Sequence, residues 1–459
     1  MSITAGFLLP HPPLIIPQVG QGREKELSAT LSSYRDVARQ IEALAPETII
    51  ILTPHSTVYS DYIHISPGSG AVGSLARYGP VPPMQVRYDE ALVRRLEQLC
   101  ADQRLPAGTL GEREPQLDHG TMVPLHFIRE HGEDFAVVRV SSSGLSREEH
   151  YRFGMLLAQA VQELGRSAVV IASGDLSHKL TQDGPYGFAP EGPALDKALT
   201  DILDRGEFGA FFELDESLCD QGAECGLRPL LMLAGALDSR QVSSKLLSYE
   251  GPFGVGYAVA SFAMGVEDPQ RNFLSRRQEV LHREMEQLRA GESIYVQLAR
   301  QALEGFVKQG ALPSLPGHLP EELLQTRAGA FVTIKKQGQL RGCIGTTGPT
   351  QNSLAEEIRH NAVSAGTRDS RFSPVEPWEL AELVYSVDVL APPQPADESM
   401  LDPLRYGVIV ERGHKRGLLL PNLEGVDTVQ EQISIARQKA GIPDGKAVKL
   451  LRFEVTRHT

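Results

Sequence analysis

Three histidines stand where an apolar run stops. His11 follows ITAGFLLP and is held between Pro10 and Pro12. His55 follows ETIIILTP in TPHS, and His178 closes AVVIASGDLSH. A fourth, His119, lies on an expected loop in LDHGTMVPL. Imidazole is both a metal ligand and a proton carrier, because histidine titrates near neutrality. A ferrous site for oxygen chemistry takes two imidazoles and one carboxylate on one face and leaves the opposite positions open. Glu224, in GAECGLRPL, can supply that carboxylate. The adjacent Cys225 is a softer rival, better suited to copper or zinc. A single histidine after a strand also serves as a hydrogen-bonded rim residue. Recurrence at several strand ends, with a carboxylate in the set, points instead to a shared cleft. His64, His126, His131 and His150 are expected at the surface or in packing.

The elements around these residues can deliver them to one place. ITAGFLL, ETIIILT, FAVVRVS, AVVIAS and GVGYAVASFAMG read as strands. EKELSATLSSYRDVARQIEAL and REEHYRFGMLLAQAVQELG carry apolar residues at helical spacing. Alternating strands and helices predict an α/β layer fold with a largely parallel or mixed central sheet flanked by helices. Such sheets bind ligands outside the carboxyl ends of their strands, where these histidines fall.

A second chemical signal lies far downstream. Cys343 sits between two glycines in LRGCIG, at the end of an expected strand and before the helical SLAEEIRHNAVSAG. Beside Arg341 and a helix start, a thiol can have a lowered pKa and react. Free cysteine also simply packs, and neither His nor Asp is adjacent in sequence to act as its partner. His360 and His414 are candidates to approach it in space. GAFVTIKKQGQLRGCIG, ELVYSVDVLAPP, YGVIVERGHKRGLLLP and AVKLLRFEV read as strands, with hairpin turns at KQGQ and ERGHKRG, so this part is expected to be α+β.

Composition separates the two parts. Residues 1–265 hold 21 Lys+Arg against 33 Asp+Glu, a net of −12, and the remainder holds 24 against 25, a net of −1. Neither has the basic footprint of a nucleic-acid binder. The expected layout is a first domain over 1–265, a charge-dense helical linker over 266–290 and a second domain over 291–459. Four cysteines without paired spacing fit a reducing cytosol rather than a disulfide framework. The apolar N-terminal run lacks a basic leader and is broken by prolines, a poor signal peptide, and no stretch is long and apolar enough to span a bilayer. A cytoplasmic protein without membrane or nucleic-acid partners is the expectation.

LLPHPPL, TPHS, LDHGTMVPL, SGDLSHKL and AECGLRPL, in this order over about residues 1–265, resemble the LigB-type family of class III extradiol dioxygenases, whose fold the Memo proteins share. The resemblance implies non-haem Fe(II) held by His11, His55 and Glu224, with His178 as general acid/base and His119 orienting substrate or oxygen. It implies dioxygen and a catecholic or similar small substrate as reactants. Memo proteins place a cysteine near the third ligand position, which keeps Cys225, and zinc or copper, open as alternatives. From about residue 290 the chain resembles the AMMECR family through LRGCIG, AGTRDSRFSPV, YSVDVLAPPQP and GHKRGLLLP. That implies an α+β fold of two unequal parts and names no reaction. Arg368, Asp369 and Arg371 are candidates to line a groove with Cys343, or to form a structural ion-pair cluster. The fusion resembles the AmmeMemoRadiSam family, which implies a radical SAM protein as a separate partner. A homo-oligomer is a further expectation. Two functions stand side by side: an iron-dependent oxidoreductase, and a metal-binding protein without ring cleavage whose second half recruits partners or binds substrate. Cysteine hydrolase chemistry at Cys343 is a third.

Overall fold

The computed structural model describes residues 2–111, 116–336, 338–423 and 425–459. The chain divides into two compact units, Met1–Val280 and Leu281–Thr459.

In the first unit, six strands form one mixed sheet: β1 (Ile3–Leu9), β2 (Thr48–Thr53), β3 (Ala136–Ser141), β4 (Ala168–Ser173), β5 (Arg240–Glu250) and β6 (Tyr257–Glu267). Their spatial order is β3-β2-β4-β1-β6-β5. The first four run parallel, and β6 and β5 close the sheet antiparallel. Every residue of β2, β3 and β4 is buried. That is why they read as unbroken apolar runs: helices or loops cover both faces. Side chains still alternate. Leu8, Ile50 and Leu52 join one core cluster, whereas Phe7, Leu9, Ile49 and Ile51 join the cluster on the other face. Strand β5 has no counterpart among the strands read from sequence. It is an edge strand whose residues alternate between exposed and half-buried over most of its length, so its apolar signal is diluted.

On one face, helix α1 (Arg147–Glu163) packs against helix α2 (Leu227–Ala236). Helix α1 begins with a capping box between Ser146 and Glu149, which pairs amides that the first turn leaves open. The two helices meet backbone to backbone. A Cβ on Gly154 would lie 1.9 Å from the Met232 carbonyl oxygen, and one on Gly235 would lie 1.9 Å from that of Tyr151. Only glycine permits this approach.

The second unit is α+β. The hairpin β7 (Ala330–Lys336) and β8 (Gln339–Gly345) forms an antiparallel sheet with β9 (Leu383–Leu390) and a strand from Val455–His458. A second antiparallel sheet contains Gly407–Arg412 and Lys415–Leu419, joined by the turn read at ERGHKRG. At KQGQ the strands pair Lys336 with Gln339, and Gln337 lies outside the described residues. Residues 273–291 form a helix in which only Phe273 and Leu274 are buried. No described helix is long and apolar enough to cross a membrane.

Substituting Gly154→Ala should lower the stability of the first unit by roughly 1–3 kcal/mol through overpacking, although alanine is the better helix former by about 1 kcal/mol. Urea unfolding of the full chain, followed at that transition, checks this. An unchanged midpoint would mean that the helices can move apart freely.

Candidate metal centre and a thiol cleft

The carboxyl ends of β1, β2 and β4 lie side by side, and the first three candidate groups come from them. β1 runs into Pro10-His11-Pro12. The Tyr34 hydroxyl donates to the Pro10 carbonyl, the Gly174 amide donates to the Leu9 carbonyl at 3.1 Å, and the His11 amide donates to Asp175 Oδ1 at 2.9 Å. His11 is therefore fixed at its backbone, and its ring is buried. Ser173 Oγ gives its proton to the Gly120 carbonyl at 2.6 Å, so it can only accept from His11 Nδ1, 2.9 Å away. That sets the tautomer: Nδ1 carries the proton, and the lone pair of Nε2 points away into the site.

His55 arrives from β2, its amide donating to Thr53 Oγ1 at 3.2 Å. Thr53 Oγ1 in turn donates to Asp118 Oδ1 at 2.7 Å, and Asp118 caps the helix that begins at His119. His119 is thus the first residue of a helix rather than a loop residue. Its ring stacks on that of His55 with centroids 4.2 Å apart and meets His11 edge-on at 5.2 Å. The Nε2 atoms of His11 and His55 face each other at 2.9 Å.

The remaining donor enters from the turn before α2. The Cys225 amide donates to the Asp175 carbonyl at 3.2 Å, and the Asp175 amide donates to Cys225 Sγ at 3.3 Å. This pairing needs Gly174 against Gly226: a Cβ on Gly174 would stand 2.3 Å from Gly226 Cα. Sγ lies 3.7 Å from His11 Nε2. His11, His55 and Cys225 present ligand atoms within 4.8 Å of one another. Glu224 points elsewhere. Its carboxylate accepts the Leu227 amide at 2.5 Å, at the start of α2, and it is not among the grouped ligands. A second acid near the histidines is Asp175, whose Oδ2 lies 3.9 Å from His11 Nε2. Asp175 belongs to the same SGDLSH segment as His178. Its position directly beyond β4, three residues before His178, was the available signal.

His178 holds its Nδ1 against the Ala223 carbonyl at 2.6 Å, so Nδ1–H donates there and Nε2 is left as an acceptor. Its ring meets Tyr186 edge-on at 5.2 Å.

The electrostatics favour neutral rings. Burial, then the neighbouring His55, pulls His11 well below its ordinary pKa. Burial also lowers His55, and burial together with His11 and His55 takes His119 down to about 3. Burial and the nearby Asp175 push the Cys225 thiol well up. Two neutral imidazoles converge on one point with a sulfur beside them. The tautomer of one is preset, and the donor set of two imidazoles and a thiol is one that binds transition metals. The residues fit a metal. His55 is the exposed member and opens the group to solvent.

In the second unit, Cys343 lies on β8. Its amide donates to Asp369 Oδ2 at 2.9 Å, and its sulfur sits 3.3 Å from Thr333 Oγ1. Arg371 forks onto Asp369 at 2.9 and 2.7 Å, which holds that carboxyl well below its usual range. Asp369 and Arg371 therefore form an ion pair and stand beside Cys343 at once, while Arg368 is exposed at the end of its helix. Arg341 turns away to fork onto Glu379 at 2.9 Å through both nitrogens. His360 binds the Glu356 carbonyl at 2.8 Å and His414 is exposed at a hairpin turn. Neither lines the cleft that contains Cys343.

Comparison with known proteins gives this geometry its class. Residues 5–260 match the catalytic LigB subunit of aromatic ring-opening dioxygenase, and residues 296–458 match AMMECR1. The chain belongs to the LigB family and carries an AMMECR1 domain behind it. A relative of the same build is Protein CA_C1420 of Clostridium acetobutylicum, 41% identical over 467 residues that cover 100% of this chain and 99% of its own. A protein of Thermotoga maritima is 53% identical over 171 residues, 37% of this chain and 98% of its own. Among solved structures, an uncharacterized protein from Pyrococcus horikoshii covers 36% of this chain and 89% of its own at 33% identity and a TM-score of 0.34. One from Escherichia coli K12 covers 56% and 99% at 17% identity and a TM-score of 0.39.

Histidines whose pKa is lowered on folding stabilise the fold above their unfolded pKa, about 6.5, and lose that contribution as pH falls toward the folded value. In the presence of a chelator, the first unit should therefore lose stability below about pH 6.5, each such histidine steepening the slope by up to about 1.4 kcal/mol per pH unit. Urea midpoints between pH 7.5 and 4.5 check this, and His119→Asn should flatten the curve.

Proposed function

We propose that the first unit is a metal-dependent oxidoreductase of the extradiol type, acting with dioxygen on a catecholic or similar small substrate. The observation that carries the proposal is the neutral pair His11 and His55, whose Nε2 atoms converge at 2.9 Å in a chain of the LigB family. His11, His55 and Cys225 would hold the ion. Fe(II) is the ion this reading requires, and it would supply the redox chemistry between an electron-rich ring and dioxygen. Both oxygen atoms would enter the ring-opened product, so no outside reductant is needed.

The chain's own groups divide the remaining work. His178, its Nδ1–H committed to Ala223, offers Nε2 to take the proton of a substrate hydroxyl and return it after ring opening. His119, kept neutral, stacks on His55 and helps fix the mouth of the site. Asp175 positions His11 and Cys225 without joining the ligand group. The AMMECR1 half would bind substrate or a partner, and a radical SAM protein would act on the same small molecule.

A second reading is metal binding without ring cleavage. The observation in its favour is the donor set itself, with a sulfur in place and the Glu224 carboxylate turned to the Leu227 amide. Zinc and copper suit such a set.

Anaerobically purified protein should contain one iron per chain, lost in His11→Ala, His55→Ala and Cys225→Ser and kept in Glu224→Ala. Loss in Glu224→Ala with retention in Cys225→Ser would return the carboxylate to the ligand set. Catechol-dependent oxygen uptake separates the two functions: absence of uptake with iron fully loaded would leave only the metal-binding reading. His178→Ala should retain iron and lose about 10²–10⁴-fold in kcat. Unchanged turnover would remove the acid/base role.

A further inference from the structure

Asp196 is a buried acid to which the proposed oxidation gives no task. It lies on the helix Glu191–Arg205 and is 1% exposed. Its Oδ1 accepts the Ser177 amide at 2.7 Å, and its Oδ2 accepts the Tyr249 hydroxyl at 2.7 Å. No lysine or arginine pairs with it among the described residues, and burial raises its pKa to about 6. A carboxylate without a cation is a costly group to bury. What it offers in return is direction: an ionised carboxylate only accepts, so the Ser177 amide and the Tyr249 hydroxyl have one arrangement on it.

Ser177 immediately precedes His178, and the backbone there is held at every step. The Leu176 amide donates to the Gly256 carbonyl at 2.8 Å, and the Gly256 amide donates to the Ser177 carbonyl at 2.8 Å. Ser177 Oγ donates to the Gly222 carbonyl at 2.7 Å and accepts the Lys179 amide at 3.0 Å. The His178 amide also donates to the Gly222 carbonyl, at 3.3 Å, and the ring Nδ1–H takes the next carbonyl, Ala223. The imidazole is thus seated on the end of the helix Glu216–Gly222, while Asp196 grips the preceding amide from a different helix. Gly256 closes the clamp, because a Cβ there would stand 2.0 Å from Asp196 Oδ2. His178 is near enough for its charge to be felt at Asp196.

We propose that Asp196 is the positioning residue of His178: through the Ser177 amide it fixes the backbone so that Nδ1–H stays on the Ala223 carbonyl and Nε2 stays free to accept a proton. The proposal rests on the acid/base role given to His178 above, and its test is read without turnover.

The full chain, carrying 15N-labelled histidine and kept metal-free by a chelator at pH 7.5, reports the His178 tautomer through its two ring-nitrogen shifts. His178→Gln assigns them by their absence. Wild type should show the Nδ1–H form alone. Asp196→Ala should show a mixture with the Nε2–H form while still loading one iron per chain. Asp196→Asn keeps an acceptor for the Ser177 amide and should restore the single form. Tyr249→Phe, on edge strand β5, removes one partner of the carboxylate without touching the core. It should fold even if the alanine variant does not, and its Ser177 amide should exchange with solvent about threefold to tenfold faster. A single Nδ1–H form in Asp196→Ala, mixed tautomers in wild type, iron loss in a folded Asp196→Ala, or unchanged Ser177 exchange in Tyr249→Phe would each overturn the proposal. Catechol-dependent oxygen uptake, measured on the same proteins, should show kcat about tenfold lower in Asp196→Ala at unchanged KM. Absence of uptake in wild type would remove the oxidoreductase reading and leave the tautomer result as it stands.

Discussion

The three residues Ser173-Gly174-Asp175 hold the candidate metal centre together. Ser173 sets the tautomer of His11. Gly174 lets the turn before α2 approach to backbone distance. Asp175 takes the His11 amide on its carboxylate and pairs with Cys225 through its own backbone. Two of the grouped donors, separated by more than two hundred residues, are thus built from one short segment at the end of a central strand. The parallel sheet makes this economical: β1 and β4 are neighbours, so their carboxyl ends emerge together.

The cluster holds its groups in their uncharged forms. Burial keeps the imidazoles neutral, and the lone pair of His11 Nε2 faces His55 Nε2 at 2.9 Å, where the His55 ring can donate its own N–H. Burial also keeps the thiol protonated and raises the pKa of Asp175. A cation bound there would take a lone pair from each ring and favour the thiolate. Protons do not compete for the histidines near neutrality, but the proton on Cys225 must leave. Such an arrangement would favour an ion over a proton at the same nitrogen atoms.

Much of this was legible in the sequence. The buried strands β2, β3 and β4 announce themselves as apolar runs, and the histidines at strand ends follow from the topology that those runs imply. Edge strand β5 was not legible, because half-burial spreads its pattern. The choice between Glu224 and Cys225 was not legible either. They are adjacent in a turn, and the path of the backbone decides which side chain faces the histidines. That path depends on Gly174 meeting Gly226, a contact between residues that no local pattern connects. Asp175 was hidden by its motif, where His178 drew the chemical reading. In the second unit, the pairing of Asp369 with the Cys343 amide joins two segments that sequence could only place in the same region.

The reciprocal glycine contacts between α1 and α2 have a consequence for ion choice. Gly154 and Gly235 seat α2 against a backbone that cannot yield, and Cys225 stands just before its first turn. The sulfur is thereby fixed from behind. His55 follows β2 on a loop and is the exposed member of the group. Ions of different radius would be accommodated by a swing of that one imidazole, and those needing a wider or more symmetric cage would be bound less well. Discrimination would then come from unequal stiffness among the donors as much as from their chemical softness.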